Sequence, residues 1–153
     1  MMKQLFALAA IAALGVGMGA AEDFDPEPII QGRQAGLRDI GAAFKAISDE
    51  LKASTPVLAT IRQNAKQIED LTTQQKFWFP AGTGPDSEIE TQARPEIWQL
   101  AAEFKARQDA FSQEARKLTQ VAAGADISAI RVQWRELGKT CKVCHEKFRE
   151  EDD

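Results

Sequence analysis

Apolar residues recur every three or four positions along four segments of the chain. The four series are Ile30, Leu37, Ile40, Phe44, Ile47 and Leu51; Val57, Ile61, Ala65, Ile68 and Leu71; Ile97, Ala101, Phe104, Phe111, Ala115, Leu118 and Ala122; and Ile127, Ile130, Trp134, Leu137, Cys141, Cys144 and Phe148. This spacing places the apolar side chains of each segment on one face of an α-helix. Each stripe is narrow and close to a heptad seam, which is the pattern of antiparallel four-helix bundles. Because no segment alternates apolar and polar residues as a strand does, the sequence predicts an all-α fold.

Short signals mark where these helices begin. The run at residues 54–56, Ser-Thr-Pro, combines a cap residue with a first-turn proline and predicts the start of the second helix. Pro95 opens the third helix, and Asp126 is the expected N-cap of the fourth. Residues 78–94 form a long loop for a compact bundle, so we expect this segment to wrap around something.

Residues 1–21 differ from the rest of the chain. Lys3 is followed by an apolar run at residues 5–14, and small residues then lead to Ala21 and an acidic stretch. This order of charge, apolar core and small residues is typical of a secretory signal peptide. A membrane anchor would need about 20 apolar residues, and glycines interrupt the run too early. We therefore expect cleavage after Ala21, export to the periplasm, and one bundle domain over residues 22–153 with no membrane attachment.

The composition excludes one class of partner and limits the metal ligands. The chain carries 19 basic and 23 acidic residues, a formal net charge of −4. An acidic chain without a basic stripe is not expected to bind nucleic acid. The three methionines, at positions 1, 2 and 18, all leave with the signal peptide. The expected mature chain therefore contains no methionine and a single histidine.

That histidine and the only two cysteines lie together at Cys141, Cys144 and His145. Their spacings of three and four residues put them on one side of the fourth helix. A structural zinc would need about four ligands, a thioredoxin-like pair would need a βα unit, and a disulfide within an intact helix is geometrically awkward. The pattern Cys-x-x-Cys-His is that of c-type haem attachment, with two thioethers and a histidine ligand to iron. We therefore expect one covalent haem c on Cys141 and Cys144, with His145 on its iron.

The sequence also bears on which residue could bind the iron on the side opposite His145. Electron-transfer haems usually take methionine or a second histidine there, and the mature chain has neither. Lysines of the first three helices do not interrupt the apolar stripes, so we expect them to be solvated. The sequence thus predicts a five-coordinate, high-spin haem with an open or apolar distal face. The candidates for lining that face are Leu37, Phe79, Phe104 and Phe111.

Two arginines occupy positions of interest. Arg33 falls in the first apolar stripe, where a buried charge would be costly without a partner. Either haem propionates pair with it, with Gln34 beside it, or it extends to water at the open end of the bundle. Arg149 follows His145 by four residues and is expected on the same face, on the proximal side of the haem.

These residues together resemble the cytochrome c′ family, the high-spin class II c-type cytochromes. The resemblance rests on the haem motif near the end of the fourth helix, followed by Phe148 and Arg149. It also rests on residues 93–98 (ARPEIW), residues 79–83 (FPAGT) and the pair at 33–34.

The resemblance implies a left-handed bundle, often a homodimer, whose haem binds nitric oxide and carbon monoxide, discriminates against dioxygen and undergoes one-electron redox. It implies that Leu37 crowds the distal site. The residues implied in lesser roles are Phe79 and Phe111 as pocket lining, Arg33, Gln34 and Thr91 near the propionates, and Arg149 on the proximal side.

Three functions are weighed from these features. A periplasmic gas-binding haem protein fits an open distal face. A dedicated electron carrier, like the low-spin cytochrome c-556 group of class II, would take a methionine from the first helix, which is missing here. An enzymatic activity such as peroxidase normally uses a distal acid or base, and no second histidine exists to serve. We therefore expect a gas-binding protein rather than an enzyme, with the electron carrier as the alternative.

Overall fold

The computed structural model describes residues 24–150. It contains four long helices, α1 (Glu27–Lys52), α2 (Leu58–Gln74), α4 (Ala101–Ala123) and α5 (Ile127–Phe148), and a short helix α3 (Glu96–Gln99). Two 3₁₀ turns, Gln75–Phe77 and Pro85–Ser87, lie between α2 and α3. No strand occurs among the described residues; an isolated antiparallel bridge joins Ala93 to Arg149. The predicted all-α four-helix bundle is confirmed.

The helices bury their apolar stripes in two separate clusters. The main core contains Ile40, Ala43, Ile47, Leu51, Ile61, Ala65, Ile68, Ala115, Leu118, Ala122, Ile130 and Leu137. The smaller cluster contains Ala93, Ile97, Phe104 and Phe148. On α5 the two cysteines lie between Leu137, the last residue of the main core, and Phe148 of the smaller cluster. The haem motif therefore occupies the interval between the two clusters.

The helix pairs differ in how closely they pack. Helix α2 packs extensively against α1 and α4, and α4 packs extensively against α5. Helix α1 approaches α5 over a much shorter stretch. One side of the bundle is thus less tightly closed than the other three.

The predicted helix starts are partly correct. Asp126 is the N-cap of α5, since its Oδ1 accepts hydrogen bonds from the backbone of Ser128 at 2.8 Å and Ala129 at 3.2 Å. The predicted cap of α2 at residues 54–56 is wrong, because that helix begins at Leu58 without a side-chain cap. The backbone N–H of Val57 donates instead to Glu50 Oε2 at 2.7 Å, so a contact with the end of α1 sets the turn.

The third predicted helix is divided in two. Pro95 precedes α3 as expected, but Leu100 has φ −116° and ψ 43°, outside the helical region, and α4 starts after it. The predicted signal peptide, residues 1–21, lies outside the described residues. Within residues 24–150 no helix is long and apolar enough to cross a membrane.

Candidate functional site

The three residues of the haem motif lie in the last two turns of α5. Cys141 and Cys144 are half-buried free thiols, and His145 is exposed. The thiol of Cys141 donates to the carbonyl of Leu137 at 3.5 Å, and Cys144 packs against the smaller cluster. The two thiols are not joined in a disulfide.

Burial shifts the pKa of all three residues. Burial raises the pKa of the Cys141 thiol, and burial together with the nearby Cys141 raises the pKa of Cys144 to about 11. Both thiols are therefore protonated at neutral pH. Burial and, to a lesser extent, the positive charge of Arg149 lower the pKa of His145, so its imidazole is neutral and has a lone pair to donate.

These donors also do not converge on one point. Among residues 24–150 no group of three or more histidine, cysteine, aspartate or glutamate side chains is placed to hold a single ion. Two neutral thiols and a neutral imidazole lie on one helix face without meeting at a point. This arrangement suits a large group to which each of the three residues bonds at a different atom. The donor set therefore fits covalent haem c.

The first helix meets α5 closely at Phe44. The Phe44 ring stacks on Trp134 with centroids 4.7 Å apart, and Trp134 Nε1 donates to the carbonyl of Phe44 at 3.2 Å. Gly138 faces the same ring, because a Cβ added there would lie 3.1 Å from Phe44 Cζ. These contacts, with that of Arg131 Nη2 to the carbonyl of Leu51 at 2.7 Å, show that α1 and α5 run antiparallel.

The register of this pair brings Leu37 to the level of His145. Leu37 lies two turns before Phe44 on α1, and His145 lies two turns after Gly138 on α5. Both displacements are about 10 Å along antiparallel axes, and a seven-residue step returns to the same helix face. This register therefore places Leu37 and His145 at the same level on the two sides of the gap between α1 and α5. Leu37 is 40% exposed, which is unusual for a stripe residue and fits an apolar wall of that gap.

A loop closes the end of this gap, and we call residues 78–95 the strap. Arg33 of α1 holds it from one side: its Nη2 donates to the carbonyl of Thr83 at 2.7 Å and to Thr91 Oγ1 at 2.8 Å, and its Nη1 donates to Thr83 Oγ1 at 3.0 Å. The guanidinium lies 5.0 Å from the centroid of the Phe79 ring. Next to it, Gln34 Nε2 donates to the carbonyl of Glu90 at 3.0 Å.

Arg33 therefore does not extend to water, and that alternative of the sequence analysis is wrong. The residue is only 2% exposed, since the strap covers it and supplies its acceptors. Burial lowers its pKa to about 10, so it stays charged at neutral pH. Its pairing with haem propionates stays a prediction.

The strap is also tied to the end of α5. The backbone N–H of Arg94 donates to the carbonyl of Phe148 at 3.0 Å, and that of Glu150 donates to the carbonyl of Gln92 at 2.8 Å. Arg149 Nε donates to Gln92 Oε1 at 2.9 Å. Arg149 thus lies near His145, as predicted, but on extended backbone beyond the helix, with φ −120° and ψ 138°. The strap joins the first helix of the bundle to the last.

The structure separates the predicted pocket aromatics. The Phe104 ring packs edge-on against Phe79 with centroids 4.9 Å apart and against Phe148 at 5.1 Å, and this group backs Cys144. Phe111 packs against the main core instead. Phe79 and Phe104 are brought to Cys144 together, whereas Phe111 packs against the main core.

Sequence reasoning assigned no structural role to several residues around the site. Thr83 is fully buried as the main acceptor of Arg33, and Trp98 Nε1 donates to the carbonyls of Phe79 at 3.2 Å and Pro80 at 3.0 Å. Four further residues, which are polar and buried where α2 meets α4, also had no role assigned from the sequence: Thr72, Gln75, Gln108 and Ser112. Of this set only Gln108 gave a signal, since it falls within the third apolar stripe.

Comparisons with known proteins agree on one family. A family model described as Cytochrome C' matches residues 28–149. The cytochrome c′ of Alcaligenes xylosoxydans xylosoxydans is 32% identical over 126 residues, which span 81% of this chain and 94% of that protein.

Solved structures give the same result. A cytochrome c′ described as having a ligand-controlled dimer dissociation superposes with a TM-score of 0.78 at 26% identity, over 84% of this chain and 98% of that one. A variant of the cytochrome c′ of Alcaligenes xylosoxidans, in complex with nitric oxide, superposes with a TM-score of 0.74 at 30% identity, over 83% of this chain and 98% of that one.

Proposed function

The chain belongs to the cytochrome c′ family, whose members carry covalently attached haem c, and from this we propose that it is a periplasmic, high-spin haem protein that binds small diatomic gases. Cys141 and Cys144 form the thioethers, and the neutral imidazole of His145 is the proximal ligand. Attached haem would supply an iron that binds a small gas and exchanges one electron. Nitric oxide and carbon monoxide are the proposed ligands.

The observation that carries this proposal is the position of Leu37 at the level of His145. An apolar side chain at that point neither ligates iron nor donates a hydrogen bond. His145 is the only histidine of the sequence, and the three methionines lie at positions 1, 2 and 18. Bound dioxygen is polar and gains from a nearby donor, whereas carbon monoxide and nitric oxide do not need one. Leu37 therefore favours carbon monoxide and nitric oxide over dioxygen and limits how readily any ligand enters.

The remaining residues of the site have supporting roles in this proposal. Arg33 and Gln34, in the first part of α1, hold the strap, and together with Thr91 of the strap they are the polar groups proposed to lie nearest the haem carboxylates. Phe79 lines the distal side with Leu37, and Phe111 completes it from the main core. Arg149 lies on the proximal side, where its positive charge adds to the effect of burial in lowering the pKa of His145. No residue in this set is assigned acid–base catalysis, so we do not propose an enzyme.

The nitric oxide complex of the Alcaligenes relative supports the choice of ligand. The relative with ligand-controlled dimer dissociation supports a homodimer, which sedimentation of the holoprotein with and without carbon monoxide would test. A dedicated electron carrier is the second candidate, because His145 is exposed and the attachment face of α5 therefore reaches the surface.

Absorption and resonance Raman spectra of the purified ferrous protein, before and after addition of carbon monoxide, distinguish these functions. A gas-binding protein is five-coordinate and high-spin and gives a carbon monoxide adduct. A six-coordinate, low-spin ferrous protein that does not bind carbon monoxide but exchanges electrons rapidly with a reductase would contradict the proposal and identify an electron carrier.

A further inference from the structure

The chain just after α2 packs directly against α1 through Trp78. Trp78 follows the 3₁₀ turn at the end of α2, and its indole lies on Gly36 of α1. A Cβ added to Gly36 would overlap Trp78 Cη2 and lie 2.5 Å from Trp78 Cζ2, closer than side-chain atoms approach. Gly36 itself is buried. Only glycine allows the ring to occupy this position.

The same stretch of α1 also holds the backbone of Trp78. Arg33 Nη1 donates to the carbonyl of Trp78 at 3.5 Å, and Arg33 lies three residues before Gly36. Leu37 follows Gly36 directly and lies one turn after Arg33. The rotation and height of this part of α1, which place Leu37 opposite His145, are therefore set by its contact with Trp78.

The α5 side of the gap offers less control over Leu37. The tight contacts of α1 with α5 lie at Phe44, two turns beyond Leu37, and α1 approaches α5 only over a short stretch. Leu37 is 40% exposed, so its own side chain has few neighbours to hold it. Its placement depends on α2 and on the Trp78 ring.

We propose that Trp78, seated on Gly36, is a positioning residue that fixes Leu37 opposite His145 and thereby sets the rate at which a diatomic ligand enters. This inference rests on the proposed function, because Trp78 acts through Leu37. A displacement of the ring shifts α1 and moves Leu37 away from its position, which opens the gap.

The test uses the ferrous holoprotein with carbon monoxide as the probe. Gly36→Ala and Trp78→Ala each displace the contact and should speed carbon monoxide association several-fold, as measured by flash photolysis. Gly32→Ala is the matched control, because a Cβ added there, one turn earlier on the same helix, meets nothing within 4 Å. It should leave the rate unchanged. Hydrogen exchange of the backbone over residues 33–40 should rise in the first two variants and not in the control.

A double variant shows whether the effect passes through Leu37. Leu37→Ala alone should speed association, and adding Gly36→Ala to it should change the rate no further. A rate that rises again in the double variant would overturn the inference. Equal rates for Gly36→Ala, Trp78→Ala and the Gly32→Ala control, with a faster Leu37→Ala, would overturn it while leaving the proposed gas binding intact.

An unchanged rate in Leu37→Ala would overturn both the gate and its positioning. Trp78→Phe keeps an aromatic ring at this place and supplements Trp78→Ala if that variant loses helical content. It should give an intermediate rate, and a wild-type rate in a folded Trp78→Phe together with a wild-type rate in Gly36→Ala would contradict the proposal.

Discussion

Arg33 shows how a single residue organises this site. Its charge is buried among the acceptors of Thr83 and Thr91, which lie 50 and 58 positions away along the chain. The sequence indicated that a charge in an apolar stripe needed a partner, and it offered the propionates or water as candidates. The partner in the structure is the strap. Sequence periodicity could not identify it, because a loop has no periodicity and the strap is separated from Arg33 by the rest of α1 and all of α2. Cys141, Cys144 and His145, by contrast, were recognisable because their pattern is contiguous.

Replacement of Arg33 by methionine should lower the free energy of unfolding by about 3 kcal/mol, because buried acceptors of the strap lose the charged donor that satisfies them. Denaturant unfolding of the holoprotein measures this change. Arg38→Met is the matched control, since Arg38 is exposed on the same helix, and it should have a much smaller effect. Equal losses in the two variants would mean that Arg33 does not anchor the strap.

At the scale of elements, the long stretches of helix were predictable and their junctions were not. Apolar periodicity is a local property, so it identified α1, α2, α4 and α5. The start of α2 depends on Glu50 of the preceding helix, and the break at Leu100 separates α3 from α4 where the sequence pattern continues without interruption. Asp126 was correctly assigned because an N-cap is defined within a few residues of sequence.

Asp126→Ala should destabilise the protein by about 1 kcal/mol, since two backbone N–H groups at the start of α5 lose their acceptor. Urea unfolding monitored by circular dichroism measures the effect. Asp39→Ala, at an exposed position within α1, should cost little, because alanine is the better helix former. A loss in Asp39→Ala as large as that in Asp126→Ala would argue against a capping role.

For the whole molecule, the division of the interior into two clusters leaves a place for the cofactor. Periodicity predicted which residues face inward but not that they form two groups with the haem motif between them. That division arises from the strap, which brings Ala93 to Phe148 and draws Ile97 and Phe104 into the smaller cluster. We expect the cofactor to cover apolar surface, such as Leu37, that the helices alone leave exposed.

The double variant Cys141→Ala with Cys144→Ala should lose all covalently bound haem on extraction with acidified acetone. It should also unfold at a lower temperature than the holoprotein, because the gap between α1 and α5 loses its contents. Cys144→Ala alone should keep haem through the remaining thioether. Full thermal stability in a haem-free double variant would contradict the view that haem completes the interior.

The bridge between Ala93 and Arg149 also bears on the order of assembly. It pairs the strap with a residue that follows all four long helices, so the contacts of the strap with α5 form only once that helix is complete, whereas those with Arg33 and Gln34 of α1 do not depend on it. Phe104 likewise waits for Phe148, and contacts between such distant residues form late because closing a long loop is entropically costly. Both thiols therefore emerge on a chain whose cleft is still open at this end. We expect the two thiols to be most accessible to haem before these contacts form, and the strap to close after the haem is attached.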